Sequence, residues 1–255
     1  MIIRKQNDSF IMIEQHHHAH ISKEIITHWK GHFLNNDSMV NSVLYAIQMH
    51  DYGWDFFDKQ PFWNDKINEP YSFINFPIIP KTVLYTEGVN KVEQKDPYAA
   101  ALCSAHYIDF MKNDETDDVL LYLNHERNRI KRILKQYPHI KSEVFWQHLA
   151  LLKFADNISL YVCLNEPGTS PDNQHYFFKN GIPISIQTIK TNLIDAKWVS
   201  KDAIALTGLP QVPSFSVLLK QKRLTQQDIL KKGLVDLYQT TSYEHLNLNF
   251  ITHKN

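Results

Sequence analysis

With 255 residues, 43% hydrophobic and 21% charged, the chain has a globular balance and the length of one large domain or two small ones. Its 27 Lys and Arg offset 27 Asp and Glu, which removes the bulk electrostatic case for nucleic-acid binding. The seven glycines never fall in a dinucleotide- or phosphate-loop spacing, and no G-x-S-x-G occurs, so Rossmann, P-loop and α/β-hydrolase readings are excluded.

The 14 histidines are the unusual feature. Their protonation would bring the net charge to roughly +10 at pH 6, and imidazole is also the commonest metal ligand. Cys103 and Cys163 are isolated, which predicts a reducing cytoplasm. Met1 to Gln6 lacks an apolar signal region, and no apolar run reaches the ~18 residues of a membrane span, so neither secretion by that route nor a spanning helix is expected.

Residues 1–14 read as a hairpin turning at Asn7-Asp8-Ser9. A helix follows, in which His18, Ile21, Ile25 and Trp29 share a face and Gly31 is the expected stop. A second helix from about Ser38 carries Val40, Val43, Leu44 and Ile47, with His50 and Asp51 continuing that face and Gly53 marking the end. Residues 52–80, rich in aromatics and proline, follow no period and read as an ordered, irregular segment.

Asp96-Pro97 is a cap followed by an N1 proline, and opens a helix with Ala99, Leu102, Cys103, His106 and Phe110 on one face. Further helices are expected from about Val119 to Gln136 and from Ser142 to about Cys163; the latter places Asp156 among Phe145, Leu149, Leu152 and Leu160. After 170 the period shortens to two at Ile182–Ile186, Ile194–Trp198 and Leu246–Phe250, with a capped helix at Thr225-x-x-Asp228 bearing Leu230, Leu234 and Leu237. The expected fold is mostly α. It is a single domain over 1–255, with a helical bundle at about 15–165 and a small peripheral β-containing part from 1–14 and 170–255.

His18, His50, Asp51, His106 and Asp156 stand where Leu or Ile would be expected. A carboxylate in a core costs several kcal/mol unless it is paired or metal-bound. Three imidazoles and two carboxylates from four helices compensate one another around a divalent cation, because such ions take this mixture of ligands.

The order His18, then His50-Asp51, then Asp156 resembles the HD superfamily of metal-dependent phosphohydrolases. Gln15-His16-His17-His18-Ala19-His20-Ile21-Ser22, Trp29, His50-Asp51-Tyr52-Gly53-Trp54, Asp96-Pro97-Tyr98, Ser104-Ala105-His106 and Ala155-Asp156-Asn157-Ile158-Ser159-Leu160 look like an uncharacterised bacterial HD-like family of unknown function. The resemblance implies a helical HD-like core and one or two divalent ions (Mn, Fe, Ni, Zn or Mg), the first held by His18, His50, Asp51 and Asp156. Asp51 would bridge two metals.

It further implies a metal-activated water attacking a small phosphorylated substrate, with His106 as second-metal ligand or proton donor and Lys153 as candidate phosphate contact. The alternatives are an HD-like di-iron oxygenase and a non-catalytic metal- or ligand-binding protein. Within the histidine cluster His17 is the alternative register, and His16 and His20 form an i, i+4 pair suited to a surface metal. Asp109 is expected to be solvated or to orient His106, and His125 to lie at the surface. Trp54, Phe57, Phe62 and Trp63 are expected to wall a pocket or cover the bundle. A cytoplasmic protein that can self-associate is expected, without nucleic-acid or membrane partners.

Overall fold

The computed structural model describes residues 1–253. Strands β1 (Ile2–Gln6) and β2 (Ser9–Ile13) form the expected hairpin, with Asn7 at φ 54° as its left-handed turn residue. Helix α1 (Gln15–Phe33) runs through Gly31, which meets no neighbour, and ends two residues later than expected. Helix α2 (Val40–Met49) ends at His50, and a 3-10 turn (Tyr52–Trp54) and the short α3 (Asp55–Asp58) follow. The irregular segment then contains the ribbon β3 (Trp63–Asn64) and β4 (Glu69–Pro70).

Helix α4 (Ile78–Lys95) is an element the sequence pattern did not announce. Pro80 lies in its first turn, where a missing N–H is tolerated, and so reads in sequence as a breaker. Helices α5 (Pro97–Met111), α6 (Asp117–Leu134) and α7 (Ser142–Leu164) lie where the periodicity puts them, and the Asp96 side chain caps α5 by accepting from the Ala99 N–H. Helix α1 packs on α2 and α7, and α5 packs on the same two, so the four surround a shared interior.

The rest of the chain adds β5 (Ile182–Pro183), β6 (Leu193–Trp198), β7 (Ala203–Thr207), β8 (Phe215–Thr225), α8 (Gln226–Lys232), α9 (Leu234–Thr240) and β9 (Glu244–His253). Seven strands join in one curled sheet, ordered β1-β2-β8-β9-β7-β6-β5, in which only the β7–β9 pair is parallel. This corrects the expectation of a helical bundle with a small peripheral β part. The described fold is 52% helix and 19% strand, and the sheet is a major element.

The β2 strand shows why. It is buried on both faces: Ile13 joins the helical core, while Phe10 and Met12 join Leu224, Leu234 and Tyr238 beneath α8 and α9. The sequence-distant β2–β8 pairing builds this double layer, and no local pattern announces it. The single helix expected after Thr225 is split into α8 and α9 at Gly233, whose φ is 80°, and Leu230 is exposed.

One close approach fixes the functional region. A Cβ on Gly53 would lie 2.3 Å from the Leu84 carbonyl oxygen, and one on Gly88 would lie 2.6 Å from the Gly53 nitrogen. Helix α4 therefore rests directly on the turn after Asp51. Gly88→Ala is expected to destabilise by about 1–3 kcal/mol, as overpacking does. Its urea midpoint should fall, whereas Gly31→Ala, in open space, should raise or preserve it.

Candidate metal centre

Four helices deliver the centre. His18 comes from the first turns of α1, on the stripe it shares with Ile21 and Ile25. His50 caps α2, and Asp51 follows it at the start of the 3-10 turn. His106 lies on α5 and Asp156 midway along α7. All five are buried. The structure brings together the four expected ligands and His106.

His18 Nε2 is 2.9 Å from Asp156 Oδ1 and 3.7 Å from Asp51 Oδ2. His50 Nε2 is 3.5 Å from Asp51 Oδ2 and 3.4 Å from Asp156 Oδ1. His106 Nε2 is 3.4 Å from the other oxygen of Asp156, Oδ2. Ligands bonded at ~2.0–2.2 Å stand roughly 3–3.5 Å apart around one ion. The donor set thus fits a cation, in two overlapping groups: His18, His50 and Asp51, and His50, His106 and Asp156. Three of the buried atoms, His50 Nε2 and both ring nitrogens of His106, have no hydrogen-bond partner among the described residues. Leaving such a group unpaired costs about 1–3 kcal/mol, which coordination offsets.

Outer contacts aim the rings. The Nδ1 of His50 donates to the Ile47 carbonyl at 2.8 Å, which leaves Nε2 as the lone-pair nitrogen. The Nδ1 of His18 donates to Ser159 Oγ at 2.7 Å, and that hydroxyl donates to the Asp156 carbonyl at 3.0 Å. Tyr107 donates its hydroxyl to the His50 carbonyl and stacks on Tyr85 at 3.8 Å. Ser159→Ala should weaken cation binding by about 10–100-fold while the protein stays folded, as changes to outer ligand partners do. A chelator competition titration beside circular dichroism checks both.

The electrostatics are those of a cluster awaiting positive charge. Burial disfavours protonated His50, but Asp51 and Asp156 outweigh it and push the imidazole up to about 9. Burial would raise Asp156, yet its contacts to His18 and His50 hold it well below the usual carboxylate range. Burial raises Asp51 and drives His106 down to about 3.

Asp51, His106 and Asp156 border a cavity of about 350 Å³, so the centre has an open side. Sequence reasoning missed two of its polar residues, Lys81 on α4 and Gln15 at the start of α1. Lys81 follows Pro80, whose place in the chain reads as a helix breaker, and Gln15 precedes a histidine run with the stronger ligand chemistry.

Other candidates lie elsewhere. Lys153 ion-pairs with Asp109 and borders a separate pocket, and Asp109 turns to Lys153 and Lys112 rather than to His106. His16 meets His20 edge-to-face at 4.3 Å, His17 faces Glu14 at 3.8 Å, and none of the three joins a ligand group; the register falls on His18. His125 is exposed. Trp54 packs on Phe76 and Tyr85, Phe57 stacks on Phe62, and Trp63 meets Phe10 of β2, so none of these four aromatics lines the cavity.

Fold and centre together define an α+β protein with a buried His/Asp cluster opening on a mostly apolar cavity. Over residues 1–226 the chain matches the family model described as Protein of unknown function (DUF3891), and it belongs to that family. No similar curated protein and no similar solved structure was found. No described helix is long and apolar enough to cross a membrane.

Proposed function

We propose that the protein is a divalent-metal-dependent phosphohydrolase with an HD-type centre held by His18, His50, Asp51 and Asp156. The observation that carries the reading is the convergence of these four buried side chains from α1, α2 and α7, with the lone-pair nitrogens of both histidines turned inward. Their chain order is that of the HD motif, and His106 adds an imidazole whose ring nitrogens have no hydrogen-bond partner among the described residues.

A divalent ion there supplies Lewis acidity and a lowered pKa for water. The chain's own residues do the rest. Asp51 and Asp156 hold the centre's negative charge at the cavity edge. His106 stands 3.4 Å from Asp156 Oδ2, placed to take a proton from the attacking water and pass it to the leaving oxygen. One P–O bond forms to the water oxygen, the P–O ester bond breaks, and the water's proton ends on the alcohol. Lys153, paired with Asp109, has no part in this scheme.

One observation favours a second reading, oxidation at paired irons. Asp156 presents Oδ1 to His18 and His50 and Oδ2 to His106, as a carboxylate shared by two cations would. We further place the protein in the cytoplasm, because Cys103 and Cys163 are both free and buried. Its partner is a small phosphorylated substrate.

The test is hydrolysis of p-nitrophenyl phosphate and bis(p-nitrophenyl) phosphate by chelated protein reloaded with Mn, Fe, Ni, Zn or Mg. Cation-dependent turnover, reduced about 10²–10⁴-fold in His106→Ala, is expected for a proton-transfer residue. Bound metal with no turnover of either ester would overturn the hydrolase reading, and O₂ uptake by the Fe(II) form would establish the second.

A further inference from the structure

The cavity beside the centre says what kind of ester fits. At about 350 Å³ it falls at the small end of small-molecule sites. Helix α4 turns Ile78, Lys81 and Tyr85 toward it at spacings of three and four, one face of the helix. Phe110 on α5 and Phe177 form part of the far wall, and both are more than two-fifths exposed, which makes an apolar rim. Large exposed aromatics around a concave site mark a binding surface for an apolar group.

Charge is scarce. A divalent ion neutralises Asp51 and Asp156, which leaves Lys81 as the surplus cation among the described residues lining the cavity. Lys81 has no ion-pair partner among the described residues and stands in the first turn of α4, where the helix end also favours an anion. A polyphosphate would bring several charges to this single lysine. Gln15 adds a buried amide at the cavity whose oxygen has no hydrogen-bond partner among the described residues, an acceptor for a hydroxyl.

We propose that the cavity selects a phosphate monoester of an apolar alcohol or phenol, its phosphate between the His/Asp centre and Lys81 and its body against Phe110 and Phe177. The phosphate rests on the hydrolase reading above; the apolar body rests on the cavity alone. Hydrolysis would leave inorganic phosphate and an apolar alcohol.

Calorimetric titration of the Mn-loaded protein tests this, with 1-naphthyl phosphate, glycerol 2-phosphate, ADP and neutral 1-naphthol as probes. The naphthyl ester should bind at least about tenfold more tightly than the two polar phosphates. Lys81→Met should weaken the naphthyl ester about tenfold or more and leave 1-naphthol unchanged, since the lost interaction is charge-assisted. Equal or tighter binding of ADP or glycerol 2-phosphate would overturn the proposal. So would an equal loss of both naphthyl probes in Lys81→Met, because that marks a structural lysine. Preferential, Lys81-dependent binding of 1-naphthyl phosphate without turnover supports this inference and counts against hydrolysis, so the two readings fail separately.

Discussion

Glu126→Ala is expected to destabilise the protein by about 3–5 kcal/mol, the effect of removing one partner of a buried ion pair. Glu126 is fully buried and accepts from Ser104 Oγ at 2.5 Å and Arg129 Nε at 3.0 Å. Arg129, also buried, reaches Glu93 and, at 2.6 Å, Asn90 on α4. The cluster ties α4, α5 and α6 together and so holds α4 over the His/Asp cluster. Removing the carboxylate strands Ser104 and half of the guanidinium fork. Glu126→Gln keeps an acceptor and leaves Glu93 as the counter-charge, so it should cost less than half as much. Urea denaturation of the three proteins checks the ranking; equal midpoints for Glu126→Ala and wild type would remove this cluster from the stability of the fold.

The second large effect is on the cation. Asp156 lies within 3.4 Å of all three imidazoles of the cluster, His18, His50 and His106. Asp156→Ala should lower bound metal from about one equivalent per chain to under about a tenth, beyond the ~10–100-fold affinity loss of an outer-contact change such as Ser159→Ala. Metal binding is also folding energy. A free cation at 100 times its Kd adds about 2.7 kcal/mol, or roughly 5–10 °C in Tm for a chain of this size. Wild type should show that rise on adding Mn and lose it with chelator, while Asp156→Ala should show neither. A rise of equal size in the variant would place the cation elsewhere.

The buried His/Asp cluster was legible in the sequence because it violates a local rule. His18, His50, Asp51, His106 and Asp156 each stand where an apolar residue is expected, and α5, which bears His106, is opened by the clear cap Asp96-Pro97. The Glu126–Arg129 pair breaks the same rule on the stripe of Val119, Tyr122 and Ile133, but it lies in a run of charges that reads as solvated.

The sheet was less legible, because its pairings are non-local. Residues 220–223 of β8, Lys-Gln-Lys-Arg, look like a surface loop, yet Gln221 and Lys222 are buried and Lys222 lies over the rings of Tyr238 and Tyr243. Helix α4 hid behind Pro80 and a polar face, and with it went Lys81. Lys153, the candidate phosphate contact one turn before Asp156, pairs with Asp109 instead; spacing along a helix fixes a side, not a partner.

The most direct measurement is an anomalous-scattering map from crystals of untagged protein loaded with Mn or Fe. The expected result is a peak bonded to His18 Nε2, His50 Nε2 and the carboxylates of Asp51 and Asp156, with an open side on the cavity. A peak at the His16–His20 pair alone, or no peak in protein that retains its metal-free fold, would contradict a metal centre at these residues.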